Sequence, residues 1–330
     1  MIAFACVSLF WSPGVASAQI VEAVGSRALG MGGAFVAVAS DSSATWWNPG
    51  ALAAGPFLDM ALGRAVTERA DALPAGRDRV HWLALGTPPF GLSYYRLRST
   101  GIGPGAPTAP GGANREGRGA EVPARLWSVS QVGATLVRTL LPGVHGGTTL
   151  KYVRGRFGSG RVESGKAPSD LLDLGENIEG APAEHAFDLD VGVLATAGPI
   201  RVGGVVRNVR QPSFGGGAFR VPRQARVGAA VDVEEAGGPP LTVAFDADVR
   251  TYQASGGDRR VLAAGAEHWL FGRRLGIRAG ARVNRVGARE RAFTGGTSVA
   301  LRSGFYVDAH VVRGGSPEER GWGAATRVSF

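Results

Sequence analysis

From residue 57 to the end of the chain, apolar and polar residues alternate with a period of two. In the segment LTVAFDADVR, residues 241–250, the apolar residues Val243 and Phe245 lie on one face of a strand. Asp246 and Asp248 lie on the opposite face. The segments are about ten residues long and are separated by Gly- or Pro-rich turns, which is typical of outer-membrane strands. A soluble sandwich alternates in the same way, so the alternation alone does not distinguish the two architectures.

The number of segments and the spacing between them favour a membrane barrel. Fourteen segments alternate, which is an even number, as a closed antiparallel bacterial barrel requires. They cover residues 57–66, 80–87, 90–98, 126–138, 144–156, 185–196, 200–208, 223–233, 241–250, 260–271, 275–285, 290–302, 304–313 and 320–330. Long connections at 67–79, 99–125, 157–184 and 209–222 alternate with tight turns. The sequence therefore predicts an all-β, transmembrane antiparallel barrel over residues 57–330, with extracellular loops and periplasmic turns.

The N-terminus has the features of a secretory signal. Residues 2–11 are apolar and too short to span a bilayer, and residues 16–18 form a small-x-small triplet. We predict a signal peptide over residues 1–18 and a mature chain beginning at Gln19. No Lys or Arg precedes the apolar run, which departs from the usual signal and leaves open a truncated start or an N-terminal core strand.

The single cysteine, Cys6, lies inside the predicted signal peptide. The mature chain would therefore have no disulfide, no thiolate metal site and no cysteine nucleophile. A signal peptide without structural cysteines is consistent with the envelope of a Gram-negative bacterium, and the predicted location is the outer membrane.

The formal net charge of +9 comes almost entirely from arginine, because Lys151 and Lys166 are the only lysines. The arginines are scattered along strands and loops rather than collected on one helix or arm. Because clustering is what makes a nucleic-acid footprint, we predict no nucleic-acid partner. Contact with outer-membrane lipid and lipopolysaccharide at the rim of the barrel is the favoured use of this charge.

Residues 25–54 do not follow the barrel pattern. Gly30, Gly32 and Gly33 remove side chains where the backbone must turn tightly or approach a barrel wall. The Asn48-Pro49 pair favours a turn, and two adjacent tryptophans supply large surfaces that could wedge the segment in place. A phosphate-binding loop is disfavoured because no Lys-Ser/Thr follows the glycines.

This segment resembles the N-terminal signature of the FadL-like outer-membrane transport barrels, and more closely that of the PorV/PorQ-type branch. The matching positions are Gly25, Arg27, Ala28, Gly30, Met31, Gly32, Gly33, Ala34, Asp41, Ala44, Trp47, Asn48, Pro49 and Leu52. The sequence departs from the signature at Ser40, where a second Asp is common, and at Gly50-Ala51, where Ala-Gly is usual. The Arg207-Asn208 pair at the end of the seventh strand is also similar to this branch.

The resemblance implies that residues 19–56 form a hatch inside a fourteen-stranded barrel and that ligand passage depends on its movement. The predicted hatch and gating residues are Gly30, Met31, Gly32, Gly33, Asp41, Trp46, Trp47, Asn48 and Pro49. Two functions follow as alternatives. The first is passive, hatch-gated uptake of hydrophobic or amphipathic small molecules such as long-chain fatty acids. The second is a PorV-type surface component that binds exported proteins and hands them on. A further alternative is a hatch that does not move and serves only as a rigid stopper.

The inward faces of the predicted strands carry a mixed set of charges. The lumen-lining residues that we predict are Asp188, Asp190, Asp246, Asp248, Arg278, Arg282, Asp308 and His310. Charged groups of this kind pair with one another and line water. The histidines form no HExxH motif and no G-x-S-x-G elbow exists, so we predict no enzyme activity, no cofactor and no metal.

The chain ends on an aromatic residue, Phe330, in a strand whose outward face carries Trp322, Ala324 and Val328. Such a final strand resembles the signal that the barrel-assembly machinery reads. We therefore predict that Phe330 is an assembly signal and that this machinery is a partner.

Overall fold

The computed structural model describes residues 16–17, 24–104, 121–217, 219–254, 257–287, 290–315 and 319–330. The predicted signal peptide lies outside the described residues except for Ala16 and Ser17, which pair in parallel with Phe219 and Arg220. Among the described residues, no helix is long and apolar enough to cross a membrane.

Fourteen strands of the described chain close into one antiparallel barrel, which confirms the predicted fold class. Each strand pairs with the next along the chain, and the last pairs with the first. The barrel strands are β1 (Asp59–Arg69), β2 (Ala75–Thr87), β3 (Phe90–Ile102), β4 (Glu121–Leu141), β5 (Val144–Glu163), β6 (Glu184–Ala197), β7 (Ile200–Arg207), β8 (Gln224–Asp232), β9 (Leu241–Asp248), β10 (Val261–Leu270), β11 (Leu275–Asn284), β12 (Arg291–Arg302), β13 (Phe305–Gly314) and β14 (Arg320–Ser329).

The two faces of each strand differ in polarity as the alternation predicts. In β9, Val243 and Phe245 face outward and are 46% and 50% exposed, whereas the carboxylates of Asp246 and Asp248 are buried inside. The exposed large residues on the other strands are also mainly aliphatic or aromatic. Because every strand edge is paired, this apolar exterior can contact lipid without leaving backbone groups unsatisfied.

Strands β4 and β5 are longer than predicted, with 21 and 20 residues. They extend at the long-loop end into residues 121–125 and 157–163, which the sequence pattern assigns to loops. The reason is a helix that the pattern does not predict, α3 (Pro168–Glu176). Leu171 and Leu172 of this helix pack on Val122 and Ala124, so the extended hairpin buries an apolar face outside the barrel.

The connection from β7 to β8 bends into the barrel. It carries two short paired strands, Ser213–Phe214 and Phe219–Arg220. Phe214 and Phe219 are buried in the same apolar cluster as Trp127, which faces the lumen from β4. This part of the predicted loop 209–222 therefore fills space inside the barrel.

The described part of the N-terminal segment, residues 24–56, contains three short helices. They are α1 (Ser26–Gly30), α2 (Ala44–Trp47) and a 3-10 helix at Pro49–Ala54. Nearly every residue from 24 to 52 is buried. The segment contacts inward-facing residues of β3, β5–β13 and thus lies within the lumen, nearer to the short-turn end.

The end of the chain is held by β-type pairing to the start of β1. The amide of Phe330 donates to the carbonyl of Leu58 at 2.8 Å, and the amide of Leu58 donates back at 3.1 Å. The Phe330 ring itself is 66% exposed. Its side chain is therefore available to an external partner and contributes little to barrel closure.

We predict that deleting Phe330 lowers the amount of barrel assembled in the outer membrane, because an exposed terminal ring has no other evident use. The measurement is the heat-modifiable fraction in outer-membrane preparations. The matched control is Phe57→Ala, which removes another exposed ring near the same end of the barrel. Equal assembly of all three proteins would contradict an assembly role for Phe330.

Candidate functional site

The N-terminal segment contacts the barrel wall where inward-facing residues are glycine. A Cβ at Gly280 of β11 would lie 2.2 Å from the carbonyl carbon of Met31. A Cβ at Gly147 of β5 would lie 2.3 Å from that of Pro49. Such distances are far below van der Waals contact, so these wall positions require glycine. The segment therefore lies with its backbone directly against the strands.

The same closeness explains part of the N-terminal motif. Gly30 approaches Gly296 of β12, and Gly32 has a φ of +70° with its Cα facing the backbone of Ala281. A Cβ at Gly50 would lie 2.8 Å from the carbonyl oxygens of Gly192 and His145. The unusual Gly50-Ala51 order is thus suited to this particular wall.

Asn48 joins the segment to itself and to β6. Its side-chain amide donates to the carbonyls of Val36 at 2.8 Å and Val193 at 2.9 Å. Its Oδ1 accepts from the amide of Gly50 at 3.1 Å and so caps the 3-10 helix, which begins with Pro49. The Asn-Pro pair therefore ends α2, starts the next turn and fixes both to the wall.

Asp246 of β9 holds the middle of the segment. Its Oδ2 accepts hydrogen bonds from the consecutive amides of Phe35 and Val36, at 2.8 and 2.9 Å. Both amides and the carboxylate are buried. A lumen-lining residue of the predicted set thus binds the N-terminal backbone, and a charge-assisted bond of this kind stabilises by more than a neutral one.

Arg27 of α1 forms the strongest ionic link between segment and wall. Its Nε donates to Glu267 Oε1 of β10 at 2.7 Å, and Arg278 Nε of β11 donates to the same oxygen at 2.6 Å. Arg27 also lies 3.4 Å from Asp41 Oδ2. Although burial alone favours its neutral form, the carboxylates of Glu267 and Asp41 raise the pKa of Arg27 above its usual value. The Arg27 guanidinium is therefore charged at every physiological pH.

The two tryptophans pack against different partners. Trp46 contacts Tyr95 of β3 edge-on, with ring centroids 5.0 Å apart, and Trp47 packs on Phe35 at 6.2 Å. The guanidinium of Arg207 at the end of β7 lies over both indoles, at 5.0 and 5.7 Å. The two tryptophans that were predicted to wedge the segment in place thus make cation–π contacts with one arginine of the barrel wall.

Above the segment, toward the long loops, one side of the lumen is apolar. The apolar inward residues of β3–β5 in this region are Tyr95, Leu97, Trp127, Val129 and Val153, all buried, and the polar residues Gln131 and Lys151 lie at the lower border of this face. Phe219 contacts Trp127 with ring centroids 5.2 Å apart. Phe214 lies against Gly155, where a Cβ would be 2.6 Å from the ring. The inward-bent β7–β8 connection therefore covers this apolar face.

Ion pairs line the lumen from β5, beside the apolar face, around to β14, and the other predicted lumen residues lie among them. Asp188 and Asp190 bind Lys151 at 3.0 and 2.6 Å, and Asp248 binds Arg226 at 2.8 Å. Asp308 binds Arg327 at 3.1 Å and Ser298. His310 packs on Gly323. The roles assigned to these residues stay predictions, but all of them lie inside the barrel.

Arg282 lies nearer the long-loop end, where it binds Glu319 at 2.6 Å. Burial favours the neutral form of Glu319, but Arg282, Arg259 and Arg69 outweigh it and lower the pKa of this carboxyl.

A cavity of about 350 Å³ lies at the long-loop end, between the inward-bent connection and the β9–β10 connection. Arg220, Arg223, Arg250 and Gln253 are among its lining residues. The long-loop end of the barrel, which we call its mouth, therefore carries cationic side chains at this cavity. Within the described residues, no group of three or more His, Cys, Asp or Glu side chains could hold a metal ion.

Sequence reasoning does not find several contributors to this site. Thr294 reaches the segment from β12, and its hydroxyl donates to the Gly30 carbonyl at 2.9 Å. The inward position of Glu267 on β10 follows from the alternation, but its contact with Arg27 does not. The wall glycines are also missed. The sequence does contain a signal for these wall glycines, because glycine at an inward position of a strand marks close approach of another backbone.

We predict that Gly203→Ala destabilises the protein, because its Cβ would lie 2.7 Å from the Val36 carbonyl oxygen and 2.9 Å from Asn48 Nδ2. The expected loss is about 1–3 kcal/mol of unfolding free energy, as for other overpacked sites. Denaturant titration in detergent micelles measures it.

The matched control is Gly204→Ala, the next residue, which faces outward and whose nearest neighbour would be 3.7 Å away. We expect no loss there. Equal stability of the two variants would contradict tight packing of the segment on β7.

No protein-family model and no curated protein matches the sequence. Solved structures do match it. A monoaromatic hydrocarbon channel, CymD, is 14% identical with a TM-score of 0.63, over 93% of this chain and 97% of that one. The toluene transporter TodX of Pseudomonas putida is 12% identical with a TM-score of 0.60, over 92% and 97%.

A FadL homologue of Pseudomonas aeruginosa is 10% identical with a TM-score of 0.63, over 94% of this chain and 99% of that one. These TM-scores establish a common fold. The chain thus has the fold of the FadL-like barrels, a closed barrel of fourteen antiparallel strands.

Proposed function

We propose that this protein is a passive channel through which hydrophobic or amphipathic small molecules enter the cell, gated by the N-terminal segment as a hatch. The observation that carries the proposal is the apolar lumen face of β3–β5 directly above that segment. A water-filled pore has polar walls. A buried, partly aromatic wall favours an apolar ligand over ions or sugars.

The arrangement of layers suggests a route. With the long loops outside the cell, a ligand would meet the arginine-lined cavity first, then Phe214 and Phe219, and then the hatch. The mouth suits a ligand with an acidic group and the interior suits its apolar body. Long-chain fatty acids combine both properties, and aromatic hydrocarbons, the cargo named for the CymD channel, would use the interior alone.

The barrel wall is lowest beside this route. Strands β7, β8 and β9 are short, with 8, 9 and 8 residues, whereas β5 has 20 residues. The β6–β7 ladder ends at Val191 and Val206, and beyond it the carboxylates of Asp188 and Asp190 accept from backbone amides of residues 208–210. A ligand that left the lumen sideways here would pass the carboxylates of Asp188 and Asp190 and their ion pairs with Lys151.

Polar contacts attach the hatch to the wall together with apolar packing of its buried side chains, and movement of the hatch would exchange both. The anchors are carboxylates and an amide, Asp246, Glu267 and Asn48. Water in an opening lumen can replace such hydrogen bonds, so each contributes a modest net free energy. Apolar contacts above the hatch would be exchanged for contacts with the ligand.

A reversible cross-link tests gating. The Thr45 Cγ2 methyl lies 2.7 Å from a Cβ at Gly91 of β3, so cysteines at both positions can form a disulfide. In the double variant Thr45→Cys/Gly91→Cys, we expect uptake of radiolabelled oleate or toluene to fall to the level of cells without the protein. Dithiothreitol should restore it.

The single variants Thr45→Cys and Gly91→Cys are the controls, and their uptake should not respond to oxidant or reductant. Uptake by a fully cross-linked double variant at the rate of the single variants would mean that this part of the hatch need not move, as a rigid stopper requires.

We predict further that deleting residues 25–54 opens the lumen, because the fourteen strands close without that segment. In planar bilayers the intact protein should conduct ions weakly and the deletion variant clearly more. Heat-modifiable migration verifies that the variant is folded. Equal conductance of two folded proteins would contradict obstruction by the segment.

One feature favours the second candidate, a component that receives exported proteins. The β4–β5 hairpin projects at the long-loop end with α3 on its outer face, and such a projection can bind a protein. If transport is absent and an exported protein is cross-linked to wild type but not to a variant lacking α3, this second function replaces the first.

A further inference from the structure

Six neighbouring strands carry a row of arginine, histidine and serine side chains on the outer surface of the barrel. Cross-strand pairing places Arg64 of β1 opposite His81 of β2, and His81 opposite Arg96 of β3. The row continues over β4–β6 through Ser130, Arg154 and His185. The arginines and histidines of the row, here called the cationic strip, are exposed.

An apolar row runs beside the strip on its short-turn side. Two residues along each strand, the outward positions are Leu62, Leu83, Tyr94, Val132, Tyr152 and Phe187, all exposed. The Tyr152 hydroxyl lies 2.6 Å from His185 Nδ1 and joins the two rows. The boundary between lipid-compatible and cationic surface is therefore sharp and is the same on all six strands.

The strip differs from the next row toward the long loops in having no internal counter-ions. In that next row, Glu176 of α3 binds Arg79 through its carboxylate and Arg98 through its carbonyl. By contrast, no carboxylate among the described residues forms an ion pair with Arg64 or Arg96, nor with Arg154 of the same strip. In the next row the chain thus supplies partners for Arg79 and Arg98, whereas it leaves the three arginines of the strip to an external anion.

Unpaired like charges in one row repel one another, and Arg64 and Arg96 lie on either side of His81. Charges facing lipid are also unfavourable unless the headgroup region supplies partners. An anionic lipid headgroup removes both costs. Arginine binds phosphate through paired, charge-assisted hydrogen bonds, and imidazole can donate to the same oxygens.

We propose that the cationic strip binds the phosphate groups of lipopolysaccharide in the outer leaflet, while its acyl chains pack on the adjacent apolar row. The strip crosses six strands and so spans roughly 24 Å, which exceeds one phosphate and fits a headgroup that carries several. Its position on the long-loop side of the apolar row faces the leaflet that contains this lipid. The proposal requires the outer-membrane location and does not depend on transport.

Native mass spectrometry of the full-length protein, titrated with bis-phosphorylated lipid A, tests it. We expect the double variant Arg96→Glu/Arg154→Glu to bind about tenfold more weakly or worse, since each lost charge-assisted contact weakens binding. The control Arg138→Glu/Arg302→Glu makes the same charge change at exposed positions near the short turns and should bind like wild type. Heat-modifiable migration verifies the fold of each variant.

Three results would overturn the proposal. Equal binding of lipid A by both double variants would show that the strip is not the site. Equal binding of lipid A and its dephosphorylated form, or of phosphatidylglycerol, would show that lipopolysaccharide phosphates are not selected. Loss of a cross-linked acidic protein in cells, with lipid A binding unchanged, would assign the strip to a protein partner.

Discussion

The close approach between the N-terminal backbone and the inward-facing glycines is the constraint on which this structure depends. At Gly147, Gly192 and Gly280, any side chain would overlap residues 31–50. The barrel wall is therefore shaped to this segment, although its strands pair only with one another. Its register must bring these glycines to one level near the short turns, and the segment must keep its own glycines and the Asn48 turn there. The residues of the wall and those of the segment therefore have to match at each contact.

Around this contact, one part of the lumen wall carries buried ion pairs and another part is apolar. The β6 and β9–β14 side is a network of buried ion pairs, and two of its acids, Asp246 and Glu267, reach out to the N-terminal segment. A buried carboxylate is tolerated only when it is paired and hydrogen-bonded, so the segment completes the network as much as the network holds the segment. The β3–β5 side is apolar and is covered by Phe214 and Phe219. The ionic anchors of the segment and the apolar face therefore lie on different parts of one barrel wall.

The outside of the barrel is divided in a similar way. Aliphatic and aromatic residues cover most strands, which suits lipid, but on β1–β6 they stop at a row of arginines and histidines. Helix α3 covers the surface beyond and neutralises the arginines next to it through Glu176. The unpaired row between them makes this side of the barrel the natural contact for an anionic headgroup. In the two proposals, transport and lipid recognition use opposite faces of the same strands.

Much of the fold was predictable from the sequence alone. Period-two alternation identifies each face of β9, and the turn residues give fourteen strands with most ends within a few residues, because a strand in lipid must alternate whatever its neighbours are. The motif around Gly30 and Asn48 marked the segment that leaves the pattern. Only the tertiary structure decided which groups meet: Arg27 with Glu267, 240 residues apart, or Phe35 and Val36 with Asp246. It also decided that β4 and β5 continue beyond their alternating core, since α3 supplies the apolar partner for their extension. Such contacts depend on how far each strand is staggered around the closed barrel, and local periodicity carries no information about stagger.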